Sequence, residues 1–311
     1  MASVLSTVLP VFGLILLGFL AARLRLLAPE AGKGLGDFIF TIAMPALLFR
    51  TQVTAAPVSV APFALLASFF LAMALTWAAT TLATSRLIAR PMADAAPLSM
   101  ATSFGNTVML GLPLGLAHWG EEAASPLALV IALHAPVLWL IATLQAEWSI
   151  REKGAALAPR LRELARDLAL NPVILGVVLG SFWRATGLGI AAIPDRMISM
   201  LGGAAVPGAL FALGMSLVRF EVRGQLRAVA LVTLLKLVLM PALAYLLAFH
   251  VFALPPVSAG VVVLLAACPT GANAFLFAAR YERAVAVVSG AVALGTALAA
   301  ITISALFLAL G

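Results

Sequence analysis

Two stretches of the sequence interrupt long apolar runs with proline, glycine and asparagine: SFGNTVMLGLPLG at residues 103–115 and AACPTGANAFLFA at residues 266–278. Proline removes a backbone donor and clashes with the preceding turn, and glycine adds backbone freedom, so each stretch is predicted to break a helix. The two breaks lie at similar depths in their apolar runs. A pair of helices broken in matching places is therefore the first feature that we expect of the fold.

The composition around these stretches indicates a membrane protein. The 311 residues are 64% hydrophobic and 10% charged, with a mean hydropathy of +1.14, whereas soluble domains are about half apolar and a quarter charged. Only helices and closed barrels satisfy their backbone in hydrocarbon, and long apolar runs favour helices. At about 20 to 25 residues per span the length allows about ten spans.

We predict an all-α integral membrane protein with ten transmembrane helices. The N-terminal residues lack a basic n-region and a cleavage site, so the first apolar run is interpreted as a membrane helix and not as a signal peptide. The predicted spans are residues 4–27, 34–53, 62–89, 95–119, 126–148, 171–185, 196–218, 226–252, 257–279 and 284–310.

Basic residues predict the orientation of these spans. Fifteen of the nineteen lysines and arginines follow spans 1, 3, 5, 7 and 9, and cytoplasmic loops carry such an excess. Both termini are therefore predicted to lie on the non-cytoplasmic side. The one sizeable loop, Arg151–Asp167, is predicted to be cytoplasmic and to form a short amphipathic helix.

The two halves of the chain look related. At an offset of 162 residues MPALLF (44–49) aligns with VPGALF (206–211), Pro10 with Pro172, and Gly18 with Gly180. Five spans per half means that the second half enters the membrane in the opposite direction, which gives an inverted repeat. We expect residues 1–150 to form the first repeat, 151–170 a cytoplasmic linker and 171–311 the second repeat.

The broken helices are the predicted binding site. Asn106 and Asn273 could each cap the second half of a broken helix, so that two helix N-termini, each with about half a positive charge, face a bound anion. The alternative is that proline and glycine only kink the two spans for packing. The candidate binding residues at the breaks are Gly105, Asn106, Thr107, Pro113, Pro269, Gly271 and Asn273.

Lys236 lies deep in span 8, where a lysine is costly and usually functional; the alternative is that it snorkels to the interface. No aspartate or glutamate is placed clearly at the midplane. The absence of a carboxylate at the midplane disfavours a cation antiporter and favours an anion as the substrate. His134, deep in span 5, either carries a coupling proton, donates to the substrate, or is a structural histidine.

Other classes of function are disfavoured. The net charge of +7 comes from dispersed basic residues, which argues against nucleic acid as a partner. Catalytic motifs are absent, and the single cysteine, Cys268, with three dispersed histidines makes a metal site unlikely on sequence grounds. We expect neither enzyme activity nor a cofactor.

Four motifs in order resemble the auxin efflux carrier family, which includes plant PIN proteins and bacterial malate and malonate permeases. They are GDFIFTIAMPALLF (36–49), SFGNTVMLGLPL (103–114), FALGMSLVRFE (211–221) and LLKLVLMPALA (234–244). The similarity extends over nearly the whole chain, although the long central hydrophilic loop of many plant members is missing.

The resemblance implies the NhaA-like inverted-repeat fold in a bacterial inner (plasma) membrane, with helices 4 and 9 broken where they cross. Helices 1, 2, 6 and 7 would form a scaffold domain and the surface of a homodimer, and helices 3–5 and 8–10 a mobile transport domain. It further implies an elevator-like carrier for a small organic anion. Coupling to a proton or to sodium stays open, and a channel or a membrane sensor is the alternative function.

Overall fold

The computed structural model describes residues 2–54, 62–150, 166, 170, 172–220 and 225–310. In these residues every regular element is helical, apart from one isolated β-bridge between Gly105 and Thr270. The prediction of an all-α protein is confirmed.

Among the described residues, ten helical regions, α1 to α10, follow one another, and two of them are broken. They are α1 (Ala2–Arg23), α2 (29–54), α3 (Pro62–Arg86), α4a (Ala95–Ser103), α4b (107–119), α5 (Ala124–Ile150), α6 (Pro172–Ala185), α7 (Ala192–Leu217), α8 (Leu226–Val251), α9a (Pro256–Ala267), α9b (Ala272–Arg280) and α10 (Val285–Leu310). Turns of π-helix occur in α2 at Ile39–Ala43, at the start of α4b at Thr107–Gly111, and twice in α8, at Leu235–Leu239 and Leu246–Val251.

Six helical stretches among the described residues are long and apolar enough to cross a bilayer. They are Glu30–Thr54, Pro62–Arg86, Thr107–Ala146, Ala192–Leu217, Leu226–Val251 and Val285–Ala309. Leu9–Arg23 and Pro256–Ala267 are apolar but shorter. A multi-pass membrane protein is thus confirmed, whereas the arrangement of ten spans in two inverted halves stays a prediction. The predicted cytoplasmic segment Arg151–Asp167 lies outside the described residues, except for Arg166.

The helices form two compact units. Unit 1 comprises Met1–Ser59, Val108–Ala132 and Ala165–Arg219, and so contains α1, α2, α6 and α7 with most of α4b and the start of α5. Unit 2 comprises Val60–Thr107, Leu133–Leu164 and Phe220–Gly311, and so contains α3, α4a, the rest of α5, α8, both halves of α9, and α10.

Close helix contacts in unit 1 depend on glycine. A Cβ atom at Gly18 of α1 would lie 2.1 Å from the carbonyl oxygen of Phe211 in α7, and one at Gly180 of α6 would lie 2.5 Å from the carbonyl oxygen of Phe49 in α2. Small residues allow membrane helices to approach this closely. The two contacts are equivalent under the offset of 162 residues, because Gly18 corresponds to Gly180 and Phe49 to Phe211.

Unit 2 encloses its two short half-helices. Every residue of α4a is buried, and so is every residue of α9a from Ser258 to Ala267. Hydrogen bonds between side chains connect α3 to its neighbours: Trp77 Nε1 donates to Gln145 Oε1 at 2.8 Å, and the hydroxyls of Thr80 and Thr102 are 2.8 Å apart. The end of α4a, where this helix breaks, is thereby connected to α3.

Candidate functional site

The two predicted helix breaks are present, and they pair with each other. Gly105 and Thr270 form an antiparallel β-bridge. On either side of it the Asn106 N–H donates to the Pro269 carbonyl at 2.8 Å, and the Gly271 N–H donates to the Phe104 carbonyl at 2.9 Å. We call residues 104–106 and 268–271 the crossover. Pairing satisfies backbone groups that would otherwise be left without partners inside a buried unit.

Glycine is required at the crossover by close approach. A Cβ atom at Gly105 would lie 3.1 Å from the Leu265 carbonyl oxygen, and one at Gly271 would lie 3.1 Å from the Gly105 carbonyl oxygen. Both distances are shorter than ordinary contacts of a Cβ atom. The glycines therefore let the two backbones come together, as the sequence indicated.

The carbonyl ends of both half-helices are satisfied by side chains from other parts of unit 2. The Thr270 hydroxyl donates to the Ala101 carbonyl of α4a at 2.8 Å. The Lys236 ammonium donates to the Ala266 carbonyl of α9a at 2.9 Å. Carbonyls in the last turn of a helix have no donor within the helix, so these two side chains stabilise the broken ends.

Lys236 is fully buried, and its ammonium also contacts Met240 Sδ at 3.1 Å. Its side chain reaches another helix end and does not snorkel to a surface of the unit. Within the described residues no aspartate or glutamate forms an ion pair with it.

The second halves of both broken helices start beside the bridge. Asn106 directly precedes the π-helical turn of α4b, whose first residue, Thr107, is buried. The prediction that Asn273 caps α9b is wrong, because α9b starts at Ala272 and its N-cap is Gly271, with no side-chain cap. Gly271 has extended backbone there and is held by its hydrogen bond to Phe104.

The amide groups of both asparagines are available to a ligand. Asn106 and Asn273 are partly exposed. No hydrogen bond joins either side chain to the part of the chain that the structure describes. Pro113 lies in α4b within unit 1, at the start of its α-helical segment Leu112–Trp119, and is not one of the residues that pair at the crossover.

His134 lies against the crossover through Phe104. Its ring centroid is 4.6 Å from that of Phe104 and 5.5 Å from that of Phe69. The ring is buried near the backbone of Gly105, yet neither nitrogen makes a hydrogen bond to a described residue. Two hydroxyls on neighbouring elements, Ser103 Oγ and Thr233 Oγ1, are likewise buried without a partner there.

Several of these residues had no signal of their own in the sequence. Thr270, Ser103 and Thr233 look like ordinary small polar residues in the sequence; the structure shows that Thr270 bonds to Ala101 and that the other two hydroxyls are buried without a partner among the described residues. Thr233 precedes Lys236 by three positions, which places both on one side of a helix, and that spacing was the available signal. In the described ranges no three histidine, cysteine, aspartate or glutamate side chains come together as a metal site.

Comparisons with known proteins identify a family of membrane transporters. A family model described as "Membrane transport protein" matches residues 3–307. A protein of Rhizobium meliloti (strain 1021) named "Putative malonate transporter" is 32% identical over 291 residues, covering 90% of this chain and 88% of the relative. "Auxin efflux carrier component 8" of Arabidopsis thaliana is 26% identical over 350 aligned positions, covering 95% of this chain and 94% of the relative.

Proposed function

We propose that this chain, which belongs to the membrane transport protein family of auxin efflux carriers, is a secondary carrier that moves a small mono- or dicarboxylate across the plasma membrane. The family makes it a membrane transporter and implies that it is not an enzyme. The carboxylate substrate and the carrier mechanism are the parts that we propose.

The observation that carries the proposal is the pair of asparagine amides beside the Gly105–Thr270 bridge. Two helices start there, at Thr107 and at Ala272. Free backbone N–H groups and the positive end of the helix dipole favour an anion at such a place. Half-helix N-termini point at anionic substrate groups in other transporters with broken helices.

The nature of the substrate follows from this chemistry and from one relative. An amide side chain donates through its NH₂ group and suits a carboxylate oxygen. A protonated Lys236 in the same unit would add to the preference for an anion. Since one relative carries malonate in its name, malonate is the dicarboxylate with which we would begin.

Alternating access would come from motion of a transport domain against a scaffold. We assign α1, α2, α6 and α7 to the scaffold, together with the homodimer surface, and α3–α5 and α8–α10 to the transport domain. The matched contacts of Gly18 with Phe211 and of Gly180 with Phe49 support two repeats in the scaffold. The burial of α4a and α9a within one unit supports their movement as a single body.

Counterflow in proteoliposomes tests this function. Vesicles containing purified protein are loaded with unlabelled malonate and diluted into a trace of labelled malonate. A carrier exchanges the two, so the label should accumulate transiently above its equilibrium level. A channel, the alternative function, would show monotonic equilibration together with single-channel currents, and a sensor would show no flux, so either result would contradict the proposal.

A further inference from the structure

The ammonium of Lys236 fills the space at the carbonyl end of α9a. It lies 2.9 Å from the Ala266 oxygen and 3.1 Å from Met240 Sδ. A Cβ atom at Gly105 would lie 3.3 Å from the same nitrogen and 3.1 Å from the Leu265 oxygen. Lys236 is also fully buried, so its ammonium is enclosed by protein at this helix end.

The Lys236 ammonium lies at the C-terminal end of α9a, and the C-terminal end of a helix favours a cation. Carbonyl groups of the last turn lack donors within the helix, and that end carries about half a negative charge. In α9a one of these carbonyls, that of Leu264, accepts from the Cys268 N–H at 3.0 Å, and that of Ala266 accepts from the lysine at 2.9 Å. The corresponding end of α4a is closed by a neutral hydroxyl, that of Thr270.

Transporters with broken helices use the C-terminal ends of their half-helices to bind a coupling ion. The carbonyls of unwound segments and of half-helix C-termini coordinate the coupling sodium ion or proton. At α9a the protein supplies a cation of its own at that kind of place. Its ammonium contacts one carbonyl oxygen and a thioether, and none of the ion pairs found in the described part of the chain involves it.

We propose that the Lys236 ammonium is a tethered cation that takes the place of a coupling sodium ion at the carbonyl end of α9a. A covalently attached charge is not exchanged between the two sides of the membrane. The carbonyl end of α9a at the crossover would therefore need no bound sodium ion. Removal of the side chain would leave a space beside the Ala266 oxygen and Met240 Sδ, which is suitable chemistry for a small monovalent cation or an alkylammonium ion. The effect on transport rests on the proposed function, whereas the cation site rests on geometry alone.

Thermal unfolding of purified protein in different salts tests the cation site. Wild type and Lys236→Ala are melted in choline chloride, sodium chloride and methylammonium chloride at equal ionic strength. Sodium or methylammonium should raise the melting temperature of Lys236→Ala over its value in choline by about 3 °C or more, and should leave wild type unchanged. Equal melting of Lys236→Ala in all three salts would overturn the proposal.

Two controls separate this effect from loss of packing or of surface charge. Lys236→Met fills the same space without charge and should not respond to the salts. Lys33→Ala removes an exposed lysine of α2 and should behave as wild type. If Lys236→Ala does not yield folded protein, Lys236→Ser, which also vacates the space, is melted in the same salts, with the same expected and overturning results.

Malonate counterflow tests the consequence for transport. Wild type should give the same transient accumulation in sodium and in choline, and methylammonium should partly restore counterflow in Lys236→Ala. Counterflow by the wild-type protein only in the presence of sodium would contradict the proposal that Lys236 is a tethered cation. A wild type without counterflow in any salt would contradict the proposed function instead, while the melting experiment would still decide the cation site.

Discussion

His134 is a buried imidazole whose polarity the fold does not use. Both ring nitrogens lack a hydrogen-bond partner in the described structure, and the ring lies against Phe69 and Phe104. A buried polar group without a partner costs about 1 to 3 kcal/mol. We therefore propose that the imidazole has a role in the transport cycle.

The substitution His134→Phe tests whether the imidazole serves transport or stability. A phenyl ring has a similar shape and no polar atoms, so the melting temperature should stay equal or rise. Malonate counterflow should fall strongly, because the ring could no longer exchange a proton or donate to a ligand. A structural histidine would give the opposite pattern, a lower melting temperature with transport that follows the amount of folded protein. His118→Phe, at the end of α4b in unit 1, serves as a control for the loss of an imidazole elsewhere.

At the scale of the helices, the closest packing occurs at glycine residues. In α1, a side chain at Gly18 would meet a backbone oxygen of α7, whereas one at Gly13 would meet nothing within 4 Å. Backbone cannot rotate away as a flexible side chain can. The packing of α1 on α7, and of α2 on α6, therefore depends on individual glycines.

Gly18→Ala should destabilise the protein by about 1 to 3 kcal/mol, the usual cost of overpacking, and Gly180→Ala should do the same at the equivalent contact. Gly13→Ala should be neutral or slightly stabilising, because alanine is the better helix former. Thermal unfolding of the three purified variants gives the order of their stabilities. If Gly13→Ala were as damaging as Gly18→Ala, the contact between α1 and α7 would not explain the glycine.

The helices and their breaks could be predicted from the sequence because their causes are local. Apolar runs predicted α3 at residues 62–89, and it spans Pro62–Arg86; the breaks at Gly105 and Gly271 follow from glycine and proline in the same segment. The groups that satisfy the broken ends could not be predicted. Thr270 is 169 residues from Ala101, and Lys236 is 30 residues from Ala266. The cap at Asn273 was predicted wrongly because the chain pairs with Phe104 at Gly271, and α9b already starts at Ala272.

Orientation in the membrane is a property of the whole molecule. Five predicted spans separate the charged segment near Gly154 from the C-terminus, and basic residues favour the cytoplasmic side for that segment. Fusions of a periplasm-active phosphatase and of a cytoplasm-active fluorescent protein at Gly154 and at the C-terminus should report opposite sides, with Gly154 inside. The same side for both positions would mean that the number of spans between them is even.

The central claim for the whole molecule is that an anion binds at the crossover between Asn106 and Asn273. Its most direct test is the affinity of labelled malonate for purified wild type, Asn106→Ala and Asn106→Asp, measured by scintillation proximity. Loss of one hydrogen bond to a charged ligand costs about 1.5 to 3 kcal/mol, so Asn106→Ala should bind roughly ten- to a hundredfold more weakly. Asn106→Asp should bind more weakly still, because it places a negative charge beside the anion, although aspartate is as good a helix cap as asparagine. An Asn106→Asp protein that binds malonate as tightly as wild type would contradict an anion site at the crossover.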